Sequence, residues 1–170
     1  MKAIRLVKFE KKHLEKTCEW INDSELRILL DQSQKNTTIE DCKNWFKRNE
    51  EEDTRALFAI NDGEKHAGNC GFIDIDKKKK MAKLWIYIGE KEKRGKGIGE
   101  KALVELINKG FYDLNLNRIY LYCLEENYSA LKLYKKVGFV KEGFLREHTF
   151  QDGEFKNCVF FGLLKKEWKK

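Results

Sequence analysis

The chain contains no proline at all, so nothing in it marks a rigid extended linker between domains. It has no apolar run near the ~20 residues of a membrane helix. The opening stretch MKAIRLVKFEKKH has no continuous apolar segment of the secretory kind, so no signal peptide is expected. Five cysteines are scattered, odd in number and without a C-x-x-C pair, which argues against a zinc site and a disulfide framework. Cys18, Cys42, Cys70, Cys123 and Cys158 are therefore read as reduced structural thiols in a cytoplasmic protein.

What is present fits one domain spanning residues 1–170. A chain of 170 residues, 41% hydrophobic and 37% charged, can bury a core without staples. The net charge of +7 raises a nucleic-acid reading. Lysine far outnumbers arginine, however, and is spread along the whole length. The one dense run, Lys77 to Lys80, lies between two strand-like segments and reads as a solvated turn. Basic charge of this kind fits a small anionic ligand better than a nucleic acid.

Periodicity predicts a strand over Ala3–Phe9 and helices over His13–Ile21 and Glu25–Leu30. Thr38 followed by Asp41 forms a capping-box pattern before a helix through Trp45 and Phe46. Three strands follow, over Arg55–Ile60, His66–Ile75 and Ala82–Ile88, the first two joined by an Asn61–Glu64 turn. A helix is expected from Gly99 to about Tyr112, a strand over Arg118–Leu124, and a helix over Asn127–Lys136 stopped by Gly138. Two last strands flank Gln151–Glu154, where Asp152-Gly153 is a hairpin signal. The expected fold is α/β (α+β), a mixed sheet with helices on its faces.

The stretch KRGKGIGEKAL, residues 93–103, carries three glycines in five positions just before a helix. Neither the P-loop G-x-x-x-x-G-K-[ST] nor the dinucleotide G-x-G-x-x-G is met, because Gly95, Gly97 and Gly99 give G-x-G-x-G. Glycines let consecutive amides converge on one anion, and a helix start adds partial positive charge. Lys93, Arg94 and Lys96 add cations. A glycine-rich turn dressed with solvated lysines remains the ordinary alternative on these residues alone.

Arg94-Gly95-Lys96-Gly97-Ile98-Gly99 resembles the [QR]-x-x-G-x-[GA] signature of the GNAT superfamily of acyl-CoA-dependent N-acetyltransferases. Asn127-x-x-Ala130-x-x-x-Tyr134-x-x-x-Gly138-Phe139 resembles its next motif. Glu142-Gly143-x-x-Arg146-Glu147 with Asp152-Gly153 is similar to the branch that holds ribosomal-protein, spermidine and sugar-nucleotide N-acetyltransferases. The resemblance implies a mostly antiparallel sheet with helices on both faces and a splayed strand pair, Ala82–Ile88 against Arg118–Leu124. It implies acetyl-CoA as co-substrate with no metal. The pantetheine would pair with Ile86, Tyr87 and Ile88, the amides of Arg94, Gly95, Lys96, Gly97, Ile98 and Gly99 would cradle the pyrophosphate, and Asn127 and Tyr134 would contact the coenzyme.

In that scheme Tyr134 is the general acid for the departing thiol, and transfer to a primary amine is direct. On spacing alone Tyr134 reads more readily as core. No carboxylate occurs in the strand before the loop, where many relatives carry a glutamate. Glu125, Asp23, Glu25, His148 or a water relay remain open as the base, with His13 and His66 less promising.

Trp20-Ile21-Asn22-Asp23 resembles the W-R-N-D stretch of transferases acting on nucleotide-linked 4-amino sugars, the flagellin-glycan branch, and Trp45-Phe46 also fits it. A nucleotide-linked amino sugar is thus the expected acceptor, with Trp20 and Trp45 as candidates for stacking on uracil or lining a peptide channel, although helices packed on the core explain both tryptophans more readily. Polyamines, protein N-termini and a non-catalytic acyl-CoA sensor are the alternatives. No membrane or nucleic-acid partner is expected, and a homodimer paired through the closing hairpin is one way to hide that edge.

Overall fold

In the computed structural model, residues 3–30, 36–151 and 153–169 are described. Seven strands form one sheet in the order β1-β2-β3-β4-β5-β7-β6. They are β1 (Ile4–Lys8), β2 (Ala56–Asp62), β3 (Lys65–Asp76), β4 (Met81–Ile88), β5 (Arg118–Leu124), β6 (Val140–Gln151) and β7 (Glu154–Leu164). Every neighbouring pair is antiparallel except β4 with β5. The helices are α1 (Leu14–Ile21), α2 (Ser24–Leu29), α3 (Ile39–Glu51), α4 (Ile98–Asn108) and α5 (Tyr128–Val137).

Alternation along the central strands sends residues to two different layers. Ala82 and Leu84 of β4, Ile119 and Leu121 of β5, and Phe161 and Leu163 of β7 bury against Ala102, Leu103, Leu106 and Ile107 of α4 and Val137 of α5. A smaller cluster of Phe9, Leu14, Cys42, Phe46 and Ala59 packs α1 and α3 on the opposite face. Helices thus cover both faces, as expected.

Local chemistry explains the boundaries. The Thr38–Asp41 capping box forms: Asp41 Oδ2 accepts from Thr38 N at 2.9 Å and Asp41 N donates to Thr38 Oγ1 at 3.1 Å. Asn127 caps α5 by accepting from Ala130 N at 3.1 Å, and Gly138 ends it with φ +122°. The lysine run is a turn in which Asp76 accepts from the backbone of Lys78 and Lys79. Gly153 has φ +83° in the last hairpin; Asp152 lies outside the described residues.

Two expectations need correction. The sequence places a turn at Asn61–Glu64, yet β2 runs on through Asp62 because Ile4 pairs with Asp62 and extends the ladder. The helix expected to reach Tyr112 stops as a regular α-helix at Asn108 and widens into a π-turn over Lys109–Asp113. Gly110 within this turn packs tightly against the sheet, where an added Cβ would lie 2.7 Å from Phe72 Cζ and 2.8 Å from Ile119 Cδ1.

Candidate active site

Strands β4 and β5 pair only at Met81–Arg118, Ala82–Ile119 and Lys83–Tyr120, and then part. On its other edge β4 stays paired with β3 as far as Ile88. Beyond Lys83, therefore, the β5-facing edge of β4 has no strand partner, and its amides and carbonyls need one from a ligand or solvent. A groove of about 760 Å³ follows this gap. Its walls include Ile86, Tyr87 and Ile88 of β4, Tyr122, Cys123 and Leu124 of β5, and Cys158 of β7.

The glycine loop closes one end. Gly95 and Gly97 have φ of +73° and +77°, which an L side chain adopts only at a cost. Gly97 is the N-cap of α4, so the helix start faces the groove without a capping side chain. Arg94, Gly95, Gly97 and Gly99 all line the groove, as do Asn127 and Tyr134 from the far wall.

Three residues of the expected set behave differently. The Ile98 side chain is buried in the core, leaving only its backbone near the loop, and Lys96 is exposed outside the groove lining. Arg94 lines the groove, but its guanidinium turns back: Nε donates to Ile88 O at 3.0 Å and Nη2 to Gly89 O at 2.9 Å. Asp23 and Glu25 stand 3.7 Å from it. Lys93 is paired with Asp62 at 3.0 Å. Two of the three cations expected around the loop thus brace the structure, and Arg94 holds the end of β4 where the strand meets the loop.

Tyr134 is 8% exposed, beside Phe139 and Phe161. Burial, with Cys123 close by, raises its pKa above that of an ordinary phenol. It is therefore both a core residue and a wall of the groove, and it carries its proton at neutral pH.

None of the four side chains considered as a base lines the groove. Asp23 accepts from Leu26 N at 2.9 Å and caps α2. Glu25 pairs with Lys91 at 2.5 Å. Glu125 accepts from Asn157 Nδ2 at 3.2 Å, and His148 stacks edge-on against Tyr122. The one carboxylate among the described groove residues, Glu100, is bound to Lys136 at 2.6 Å.

A second cavity, about 460 Å³, opens on the α1/α3 face. Leu30, Trp85 and Tyr87 belong to both cavities, so β4 is the partition between them. Trp45, Arg48, Arg55 and Asp41 line its far side. Trp20 does not: it is 6% exposed and lies against Gly89, where an added Cβ would be 1.9 Å from its Cδ2. Trp20 is therefore a packing residue, not a stacking platform. Asn22 is similarly engaged, its Oδ1 accepting from Thr37 N at 2.9 Å. Position 87 was noted in the sequence only for its backbone; the role of its side chain depends on a cross-strand neighbour that no motif announces.

Among the described residues no helix is long and apolar enough to cross a membrane, and no cluster of three or more metal-ligating side chains occurs.

The structure is similar to the crystal structure of spermidine N-acetyltransferase from Vibrio cholerae in complex with CoA and spermine, with a TM-score of 0.91, 23% identity and 96% of each chain covered. In sequence it is 34% identical over 114 residues to the uncharacterized N-acetyltransferase p20 of Bacillus licheniformis, covering 67% of this chain and 64% of that protein. It is 36% identical over 98 residues to spermidine N(1)-acetyltransferase of Escherichia coli K12, covering 58% of this chain and 52% of the relative. The chain thus matches about half to two thirds of the length of these relatives. None of the three bears an amino-sugar name, so the branch expected from Trp20–Asp23 gains no support. Residues 3–140 match the family model described as acetyltransferase (GNAT) domain, and the chain belongs to that family.

Proposed function

We propose that residues 1–170 form one acetyltransferase domain that moves the acetyl group of acetyl-CoA directly to a primary amine. The observation that carries this reading is the gap between β4 and β5, closed by two positive-φ glycines at an uncapped helix start. Pantetheine would occupy the gap as a short added strand beside Ile86, Tyr87 and Ile88. The pyrophosphate would meet the amides from Arg94 to Gly99, with Lys96 as the nearby exposed cation. Asn127, already capping α5, would contact the coenzyme from the opposite wall.

The chemistry balances without a metal. A neutral amine forms the N–C bond, the C–S bond breaks, and the proton lost by nitrogen ends on the coenzyme sulfur. Tyr134 holds its proton at neutral pH and would donate it toward the departing thiolate, whose own pKa is about 8.5 by analogy with cysteine. The oxyanion would be met by an amide on the free edge of β4 near Ile88. Water is the receiver of the ammonium proton that best fits a groove whose described carboxylate is already paired. Five free thiols fit the reducing cytoplasm.

For the acceptor, the spermidine-acetylating relatives favour a polyamine over a nucleotide-linked amino sugar. Burial of Trp20 removes one expected uracil platform as well. A protein or peptide N-terminus is the second reading, and the charge of the acceptor-side cavity favours it. Among the described residues of that cavity, Arg48 and Arg55 face the lone carboxylate of Asp41, which already holds Thr38, while Arg55 is paired with Glu52 at 2.6 Å, so the excess positive charge rests on Arg48. A polycation would meet like charge there.

Mass-spectrometric detection of acetylated product from acetyl-CoA with polyamines, peptides with free N-termini, and nucleotide-linked amino sugars tests the reading. Product from the polyamine pool is expected. Product from peptides alone would move the assignment to N-termini. Bound acetyl-CoA with no product from any pool would favour the sensor.

A further inference from the structure

One buried polar cluster on the α1/α3 face has no part in the steps above. Asn69 of β3 and Tyr87 of β4 are register partners, so their side chains meet on the same face of the sheet. Asn69 Nδ2 donates to Tyr87 Oη at 2.7 Å and to Thr17 Oγ1 at 2.8 Å. Asn69 Oδ1 lies 2.7 Å from His66 Nε2, which must carry the ring proton because the amide oxygen only accepts. Thr17 in turn donates its hydroxyl to the His13 carbonyl at 2.8 Å.

The donors are thereby assigned one by one. Both hydrogens of the Asn69 amide are used, so the amide cannot flip without breaking three contacts. Tyr87 Oη accepts one N–H and retains a lone pair and its own hydrogen. Asn69 is 1% exposed with both amide hydrogens and its oxygen engaged, and a buried amide so held keeps one geometry. What it fixes is the side chain of Tyr87, a residue that lines both cavities.

We propose that Tyr87 Oη receives the acceptor amine where the two cavities meet, accepting a hydrogen bond from its N–H and so turning the nitrogen lone pair toward the thioester. Asn69 is the positioning residue that holds the phenol there. The inference rests on the N-acetyltransferase reading. No proton passes to Tyr87, because burial raises its pKa and it stays a phenol throughout. The amine sheds its ammonium proton to water before it docks.

Tyr87→Phe keeps the ring and its stacking on Trp85 while deleting only the oxygen. Steady-state kinetics should show kcat/KM for the amine lower by about tenfold, the value of one hydrogen bond, with acetyl-CoA affinity by calorimetry within twofold of wild type. Asn69→Ala should lower the same ratio several-fold, yet add nothing when placed in the Tyr87→Phe background. A structural role alone would instead give additive losses that follow Tm. Wild-type kcat/KM in Tyr87→Phe, or additivity in the double variant, overturns the inference while leaving the acetyltransferase reading intact. Wild-type protein that acetylates no amine overturns both. If Asn69→Ala does not fold, Tyr87→Phe decides alone.

Discussion

The two faces of β4 differ in how their chemistry is built. On the α4/α5 face the proposed coenzyme site is made mainly of backbone: free strand amides, two glycines and a helix start, with side chains such as Ala82 and Leu84 serving as core and Tyr134 as the exception. On the α1/α3 face it is carried by side chains: Trp85 and Tyr87 divide two cavities, and Tyr87 is held by Asn69. A backbone site tolerates varied side chains but demands particular φ angles. A side-chain site tolerates varied backbones but demands particular neighbours. The first therefore leaves a motif in the sequence and the second does not.

The sharpest way to break the comparison is at the joint between the faces. Gly89→Ala places a methyl 1.9 Å from Trp20 Cδ2, and neither the indole nor the strand end held by Arg94 has room to yield. Overpacking of this kind should destabilise by about 3 kcal/mol, read as a lowered urea midpoint at unchanged m-value. Next in size is Tyr134→Phe, which should reduce kcat about a hundredfold, the scale of general acid catalysis, while acetyl-CoA affinity by calorimetry stays the same. Equal losses in both would make Tyr134 a binding residue.

Gly97→Ala sharpens the backbone side. No atom lies within 4 Å of an added Cβ there, so the penalty is the left-handed φ of +77°, worth about 1–2 kcal/mol. A bound pyrophosphate would add a collision, and coenzyme affinity should fall about tenfold or more. Loss of stability without loss of affinity would place the anion elsewhere.

A further effect concerns pH and appears only on acidification. Burial, with His66 and Lys12 nearby, lowers the His13 pKa from 6.5 to about 4, and burial lowers that of His66 as well. Both imidazoles are neutral in the folded protein, whereas the unfolded chain takes up protons below about pH 6.5. Their contribution is complete above that pH and is lost as pH falls toward 4. His13→Gln should flatten this part of the stability curve, measured by urea titration across pH 4–7.

What was legible in the sequence follows the same division. The glycine loop, the Asn127 cap, the Thr38–Asp41 box and the Gly138 stop all announce themselves, because each is a local conformational demand met by a specific residue type. The place of Tyr134 in the groove wall agrees with its spacing from Asn127. The fate of Arg94 was not legible, since a cation beside an anion loop reads as a ligand until Ile88 and Gly89 offer their carbonyls. Trp20 was legible as a packing residue, but its partner, a glycine far along the chain, was not. The Asn69 network joins residues from α1, β3 and β4, and only the register of β3 with β4 brings them together. The π-turn after Asn108 was hidden likewise, because the close packing of Gly110 on Phe72 and Ile119 joins residues far apart in the sequence.

The central claim is that the loop from Arg94 to Gly99 grips the nucleotide end of a coenzyme lying between β4 and β5. Calorimetric titration of the wild-type protein with coenzyme A and with pantetheine, which lacks the pyrophosphate and nucleotide, tests it most directly. Coenzyme A should bind at least a hundredfold more tightly, with the gap narrowed in Gly97→Ala. Equal affinity for the two, or a gap that Gly97→Ala leaves untouched, would contradict it.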